Sequence, residues 1–184
     1  MILLMMGWTG GARAQSGTVA EEVIYTTDFT DWTEEINRKQ ANQVVVNKET
    51  EFGDTFSFTL NGVGIYPDAA NFSTIGYMQT AKYPNEYSAA EPSVVTSPLK
   101  SITQIKLHQA ATGGERGIKV SVKGDGDAGW VVLHDISIVK KAGEDLTLTV
   151  NRTNCQIKFE NYSKGLDQNA YVTDLTILGN VEQK

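Results

Sequence analysis

Cysteine, histidine and proline are scarce in this chain of 184 residues, which holds one Cys, two His and four Pro. A lone Cys155 closes no intrachain disulfide and cannot supply the several thiolates of a structural zinc site, so the fold must rest on its own core. No H-E-x-x-H helix, G-x-S-x-G elbow, Walker loop or glycine-rich dinucleotide fingerprint occurs. Zinc-protease, serine-hydrolase and nucleotide-binding readings thereby lose their usual support. Positive charge is short as well: 16 Lys and Arg against 22 Asp and Glu leave a formal charge of −6. A chain of that sign has no generic electrostatic grip on nucleic acid. Long apolar runs are also missing. The run Met1–Trp8 falls well short of the roughly 20 residues that a membrane-spanning helix needs.

What is present, 40% hydrophobic and 21% charged residues, is the balance of one soluble globular domain. The run Met1–Trp8 is followed by Gly10-Gly11-Ala12-Arg13-Ala14. Small side chains at Ala12 and Ala14 fit the A-x-A pattern of a signal-peptidase site, although the usual basic n-region is absent. The expectation is a secretory leader over 1–14, cleavage before Gln15, and a single exported domain over 15–184 that acts as a monomer.

From Val23 onward the apolar residues recur with period two, the pattern of half-buried strands. Phe56, Phe58 and Leu60 alternate with Thr55, Ser57 and Thr59; Ile118, Val120 and Val122 alternate with Lys119, Ser121 and Lys123. The pattern returns at Leu146/Leu148/Val150, Cys155/Ile157/Phe159 and Tyr171/Thr173/Leu175/Ile177. Trp130–Leu133 is apolar on both faces, which predicts a central strand. Asn61-Gly62, Gly113-Gly114, Gly124-Asp125-Gly126-Asp127 and Lys141-Ala142-Gly143 supply turn chemistry between the runs. Short strands punctuated in this way predict a β-sandwich or barrel. One short helix over 32–41 competes with a structured loop, because Asp31 stands at a capping position and Glu34 and Arg38 form an i,i+4 pair. The stretch Tyr66–Pro98 is predicted to be mostly loop, with one strand near Ile75–Gln79.

Candidate chemistry is sparse. His134 shares an apolar face with Trp130, Val132 and Ile136 and reads as a core histidine, whereas His108 falls on a polar side with Gln104 and Lys106. Gln104-Ile105-Lys106-Leu107-His108 superficially resembles the Q-x-H strand of alginate lyases, but the R-x-E-x-R and tyrosine-bearing strands of those enzymes have no match. A lyase is thus the lesser, enzymatic alternative. Asp125 and Asp127 place hard oxygen ligands close enough to contribute to a structural Ca²⁺ site. Ile136 stands where an EF-hand carries its acid, so a hairpin turn is the first reading there. Calcium is the one cofactor considered.

The acidic chain nevertheless carries Lys106, Lys119, Lys123 and Lys158 on the polar sides of predicted strands, with Arg116 just before one of them. Were those strands neighbours, they would form a basic strip able to meet sugar carboxylates; the alternative is a solvated sheet face with lysines guarding edges. Tyr66, Tyr83, Tyr87 and Trp130 are the candidate rings for stacking on a pyranose, while Trp32 and Tyr171 read as core. Thr96-Ser97-Pro98, Gly113-Gly114-Glu115-Arg116-Gly117, the Gly124–Trp130 segment, Asn151-Arg152-Thr153-Asn154 and Asn169-Ala170-Tyr171 together resemble accessory β-sandwich domains near the N-terminus of secreted Bacteroidetes pectate lyases. The resemblance covers about Val23–Val181. It implies an antiparallel jelly-roll sandwich, export, and a non-catalytic role on plant cell-wall or other acidic polysaccharide such as pectin, beside an adjoining catalytic domain. A structural or protein-interaction sandwich is the second alternative.

Overall fold

Period-two alternation becomes one-sided burial in the computed structural model, which describes residues 19–36, 43–68, 76–80, 92–111, 116–135, 143–163 and 170–182. Among them run β1 (Val19–Thr27), β2 (Val44–Glu49), β3 (Thr55–Asn61), β4 (Val63–Tyr66), β5 (Tyr77–Thr80), β6 (Ser93–Thr96), β7 (Leu99–Ala111), β8 (Arg116–Lys123), β9 (Val131–His134), β10 (Glu144–Ser163) and β11 (Ala170–Glu182). The described residues contain no helix long and apolar enough to cross a membrane.

The strands form an antiparallel jelly-roll sandwich, as expected. In the first sheet the N-terminal half of β10 pairs with β7 and β7 with β11. The far edge of β11 carries β1 and β5, with β4 beyond β5. The second sheet runs β2-β3-β6-β10-β8-β9. Strand β10 belongs to both sheets. It turns the corner at Asn151 and Asn154, whose φ angles are 52° and 45°, and its register against β7 shifts between Thr149 and Arg152. Asparagine tolerates this left-handed region better than other side chains with a Cβ.

Apolar faces of the two sheets share one core. Ile105, Leu107 and Ile177 from the first meet Phe58, Ile118, Val120, Ile157 and Phe159 from the second. One buried side chain ties the sheets together by hydrogen bonds. Gln109 of β7, fully buried, accepts from the Ile118 N–H of β8 at 3.0 Å through Oε1. Its Nε2 lies 3.3 Å from His134 Nε2 on β9 and 3.4 Å from Glu144 Oε2 on β10.

Two expectations are corrected. Residues 32–36 are not helical: Ile36 exchanges backbone hydrogen bonds of 3.0 and 2.9 Å with Ile65 of β4. Trp32 is buried with Phe29 and Phe58, its ring lying beneath Lys48 Nζ at 4.3 Å. Tertiary burial of the indole and pairing with β4 outweigh the local capping signal; residues 37–42 lie outside the described set. Among the described residues strand β9 is an edge, not a central strand, since β8 is its one partner strand there. Its register shifts at Leu133, so Val132 pairs with Ser121 while His134 pairs with Val120. That bulge puts Val132 outside, 45% exposed, and His134 inside, 8% exposed.

Candidate functional site

The turn from β8 to β9 is built by its acidic residues. Asp127 accepts from the Gly124 N–H at 2.9 Å and from Arg152 Nε at 3.2 Å. Asp125 accepts from Thr153 Oγ1 and Asn154 Nδ2, each at 3.2 Å, and its own N–H donates to Thr153 O at 3.0 Å. The Gly124 N–H, with the Arg152 guanidinium in support, holds the Asp127 carboxyl below its usual range. Glycine at 124 permits the approach, since a Cβ there would lie 2.8 Å from Arg152 Cβ and 2.9 Å from Thr153 O. Both carboxylates thus bolt the turn to the β10 corner, and the described residues contain no group of three His, Cys, Asp or Glu side chains suited to a metal ion.

Just past this bolted turn stands Trp130, 37% exposed. Lys158 Nζ sits 4.8 Å from its ring centroid and 3.2 Å from Glu160 Oε2. Lys158 points outward from the second sheet, because its neighbours Ile157 and Phe159 are fully buried, so the indole lies over the outer face of that sheet. The ammonium occupies one side of the ring, a cation–π contact. Across the same face, Lys158 pairs with Ser121 of β8 and Val95 of β6, Glu160 with Lys119 and Ser93, and Gln156 with Lys123. Thr59 and Asn61 of β3 continue the rows. A partly exposed indole, three lysines, Glu160 and a field of hydroxyls and amides therefore share one sheet face, with Glu49 at its β2 edge.

Only part of the expected strip is assembled. Lys119, Lys123, Lys158 and Trp130 come together, whereas Arg116 opens β8 at the parity of the buried Ile118 and not of Lys119. Lys106 does not join, because β7 lies in the other sheet, where Lys106 pairs with Thr147 and Thr176. Lys158 is engaged by Trp130 and Glu160. Tyr66 stacks on Tyr77 with ring centroids 5.0 Å apart, and Tyr77 meets Tyr171 edge-on at 5.4 Å. Tyr66 thereby belongs to a cluster on the first sheet, away from Trp130. Tyr83 and Tyr87 lie outside the described residues. Glu160 and Arg152, the side chains that seat Lys158 and the turn, were not singled out from the sequence; Glu160 had a signal in sharing period two with Lys158.

The outer face of the first sheet carries the Gln104/Lys106/His108 row. His108 Nδ1 hydrogen-bonds Asp145 Oδ1 at 2.5 Å. Flanking strands present Asp145, Thr147, Thr149, Asp174, Thr176 and Leu178 there, so among the described residues this row has no adjacent outward tyrosine or arginine of the kind a lyase strand set carries. Burial pushes the Asp174 carboxyl up, and Asp145 adds to the shift.

No family model matches the chain, and no curated protein does. Solved structures similar to it include the K2 cleaved adhesin domain of Lys-gingipain, at 9% identity and a TM-score of 0.48, covering 87% of this chain and 99% of that one. The K1 cleaved adhesin domain of the same protein, from Porphyromonas gingivalis, matches at 14% identity and a TM-score of 0.46, covering 91% and 100%. The xylan-binding CBM22-1 domain from Paenibacillus barcinonensis matches at 10% identity and a TM-score of 0.40, covering 93% and 99%.

Proposed function

We propose that this chain is an exported, non-catalytic carbohydrate-binding module that takes an acidic polysaccharide of the pectin class along the outer face of its second sheet. The observation that carries the reading is the seating of Trp130. A rigid turn holds its indole over a sheet face with Lys158 against one side, leaving part of the ring for a pyranose C–H face. Lys119 and Lys123 on the adjoining strand supply cations for uronate carboxylates, while Ser93, Thr59, Asn61 and Gln156 supply hydroxyl partners. Export rests on the leader-like segment 1–14, and a role beside a catalytic domain on the resemblance of the sequence phrases. Affinity electrophoresis and calorimetry against polygalacturonate, pectin, xylan and cellulose test the reading. Polygalacturonate is expected to bind, weakening with added salt and lost in Trp130→Ala; no binding to any of the four polymers overturns it.

A further inference from the structure

At the end of the sandwich where β2 turns into β3, a cleft of about 1160 Å³ opens between that turn and the edge of the first sheet. It is somewhat larger than the roughly 300–1,000 Å³ of small-molecule pockets. The turn is stiff. Thr50 N–H donates to Asp54 O at 2.8 Å, Gly53 N–H to Thr50 O at 3.0 Å, and Glu51 N–H to Ile24 O of β1 at 3.0 Å. Asp54 N–H also donates to Thr50 Oγ1 at 3.0 Å, and Gly53 takes φ +82°, which the chain closes without strain at glycine. At the tip stands Phe52, 50% exposed. A phenyl ring left half in water on a braced turn forgoes burial that the nearby core gives Phe56 and Phe58.

The rest of the lining mixes apolar side chains, Leu99 and Val181 among them, with polar ones: Ser101 of β7, Asn180 and Glu182 of β11, and Glu22 of β1, with Asp54 on the turn side. Asp54 is paired with Lys100 at 2.7 Å, so the cation at the rim is already matched. What remains is an apolar ring opposite carboxylate, amide and hydroxyl groups, with excess negative charge. Carboxylates accept from sugar hydroxyls but repel a uronate, and the ring offers a face for sugar C–H groups.

We infer that this cleft is a second saccharide site, for a neutral, hydroxyl-rich oligosaccharide, with Phe52 as its stacking platform. It rests on the reading of the chain as a saccharide binder, but uses none of the residues of the Trp130 face. The two sites then have opposite charge preferences, and one module bridges an acidic and a neutral glycan.

An amide NMR titration of the full chain tests this with xylohexaose, cellohexaose and mannohexaose as probes and tri-galacturonate as the charged control. At least one neutral probe is expected to move the Phe52, Ser101 and Asn180 amides saturably. Phe52→Ala is expected to weaken that binding by roughly tenfold or more, and Glu182→Gln to weaken it less. Trp130→Ala should leave it unchanged. The inference is overturned if no neutral probe moves the cleft amides, if their shifts survive Phe52→Ala, if Trp130→Ala abolishes them, or if tri-galacturonate moves them as strongly. Tri-galacturonate at the sheet face is read separately from the Trp130 indole resonance, so loss of the sheet-face site and loss of the cleft site give different spectra.

Discussion

Replacing Gln109 by methionine keeps the volume of a fully buried side chain and deletes its polar atoms. The Ile118 N–H then loses its 3.0 Å acceptor, in a residue that is itself fully buried. An orphaned buried donor costs about 1–3 kcal/mol. Contacts of Nε2 with His134 and Glu144, at 3.3 and 3.4 Å, are long and add little. The expected loss is therefore about 1–3 kcal/mol, or roughly 2–12 °C in Tm for a domain of this size. Urea unfolding should show a lower midpoint with an unchanged slope, and hydrogen exchange at the Ile118 amide should quicken. Gln109→Glu supplies the discriminating arm. It keeps an acceptor for Ile118 but adds a charge beside Glu144, so its stability is expected to rise as pH falls from about 8 to about 6, opposite to the parent. A Met variant within about 0.5 kcal/mol of the parent refutes the claim that this glutamine ties the sheets together.

The remaining expectations are shorter. Burial lowers the His134 pKa from 6.5, against the raising pull of Glu144 and Asp135. The unfolded chain therefore takes up the proton first as pH falls, and stability present above the unfolded pKa should decline below it; a flat denaturation midpoint between about pH 8 and pH 5 would contradict this. Burial pushes the Cys155 thiol up to about 11, so a thiol reagent at about pH 8 should leave the native protein unmodified and label it only on unfolding; mass spectrometry reads the outcome. Gly143→Ala combines φ +83° with a Cβ that would fall 2.1 Å from His108 Nε2. It should cost at least about 1 kcal/mol and displace the His108 ring, visible as a change in the imidazole NMR signals.

Much of the fold was legible because burial in a sheet follows parity. Phe56/Phe58/Leu60 and Ile118/Val120/Val122 face inward as their alternation requires, and Tyr171 and Trp32 are core. Parity fails at bulges, and there the reading went astray: an extra residue at Leu133 puts Val132 and His134 on opposite faces, where their even spacing predicts one. Local signals also lose to tertiary ones, as when Ile36 pairs with Ile65 in place of extending a helix. The candidate site was legible in residue types but not in neighbours. Lysines on three strands look alike in sequence, yet strand order puts Lys106 on one sheet and Lys119, Lys123 and Lys158 on the other. No local pattern encodes that separation, because it depends on β10 passing from one sheet to the other at Asn151 and Asn154.

That corner also explains how a chain of formal charge −6 comes to present a cationic face. Asp125 and Asp127 direct their charge at Arg152, Thr153, Asn154 and a backbone N–H group at the corner, where they fix the turn. Asp54 is matched by Lys100 and Asp31 by Lys48 at 3.1 Å. Glu22 and Glu182 gather at the cleft end. On the outer face of the second sheet the described strands then set Glu160 and, at the β2 edge, Glu49 against three lysines, and Glu160 is itself committed to Lys158 beneath the indole. Net charge is thus a poor guide to the local field: two of the surplus carboxylates brace the turn from which Trp130 is presented, while Lys119 and Lys123 stand on the strand that leads into it.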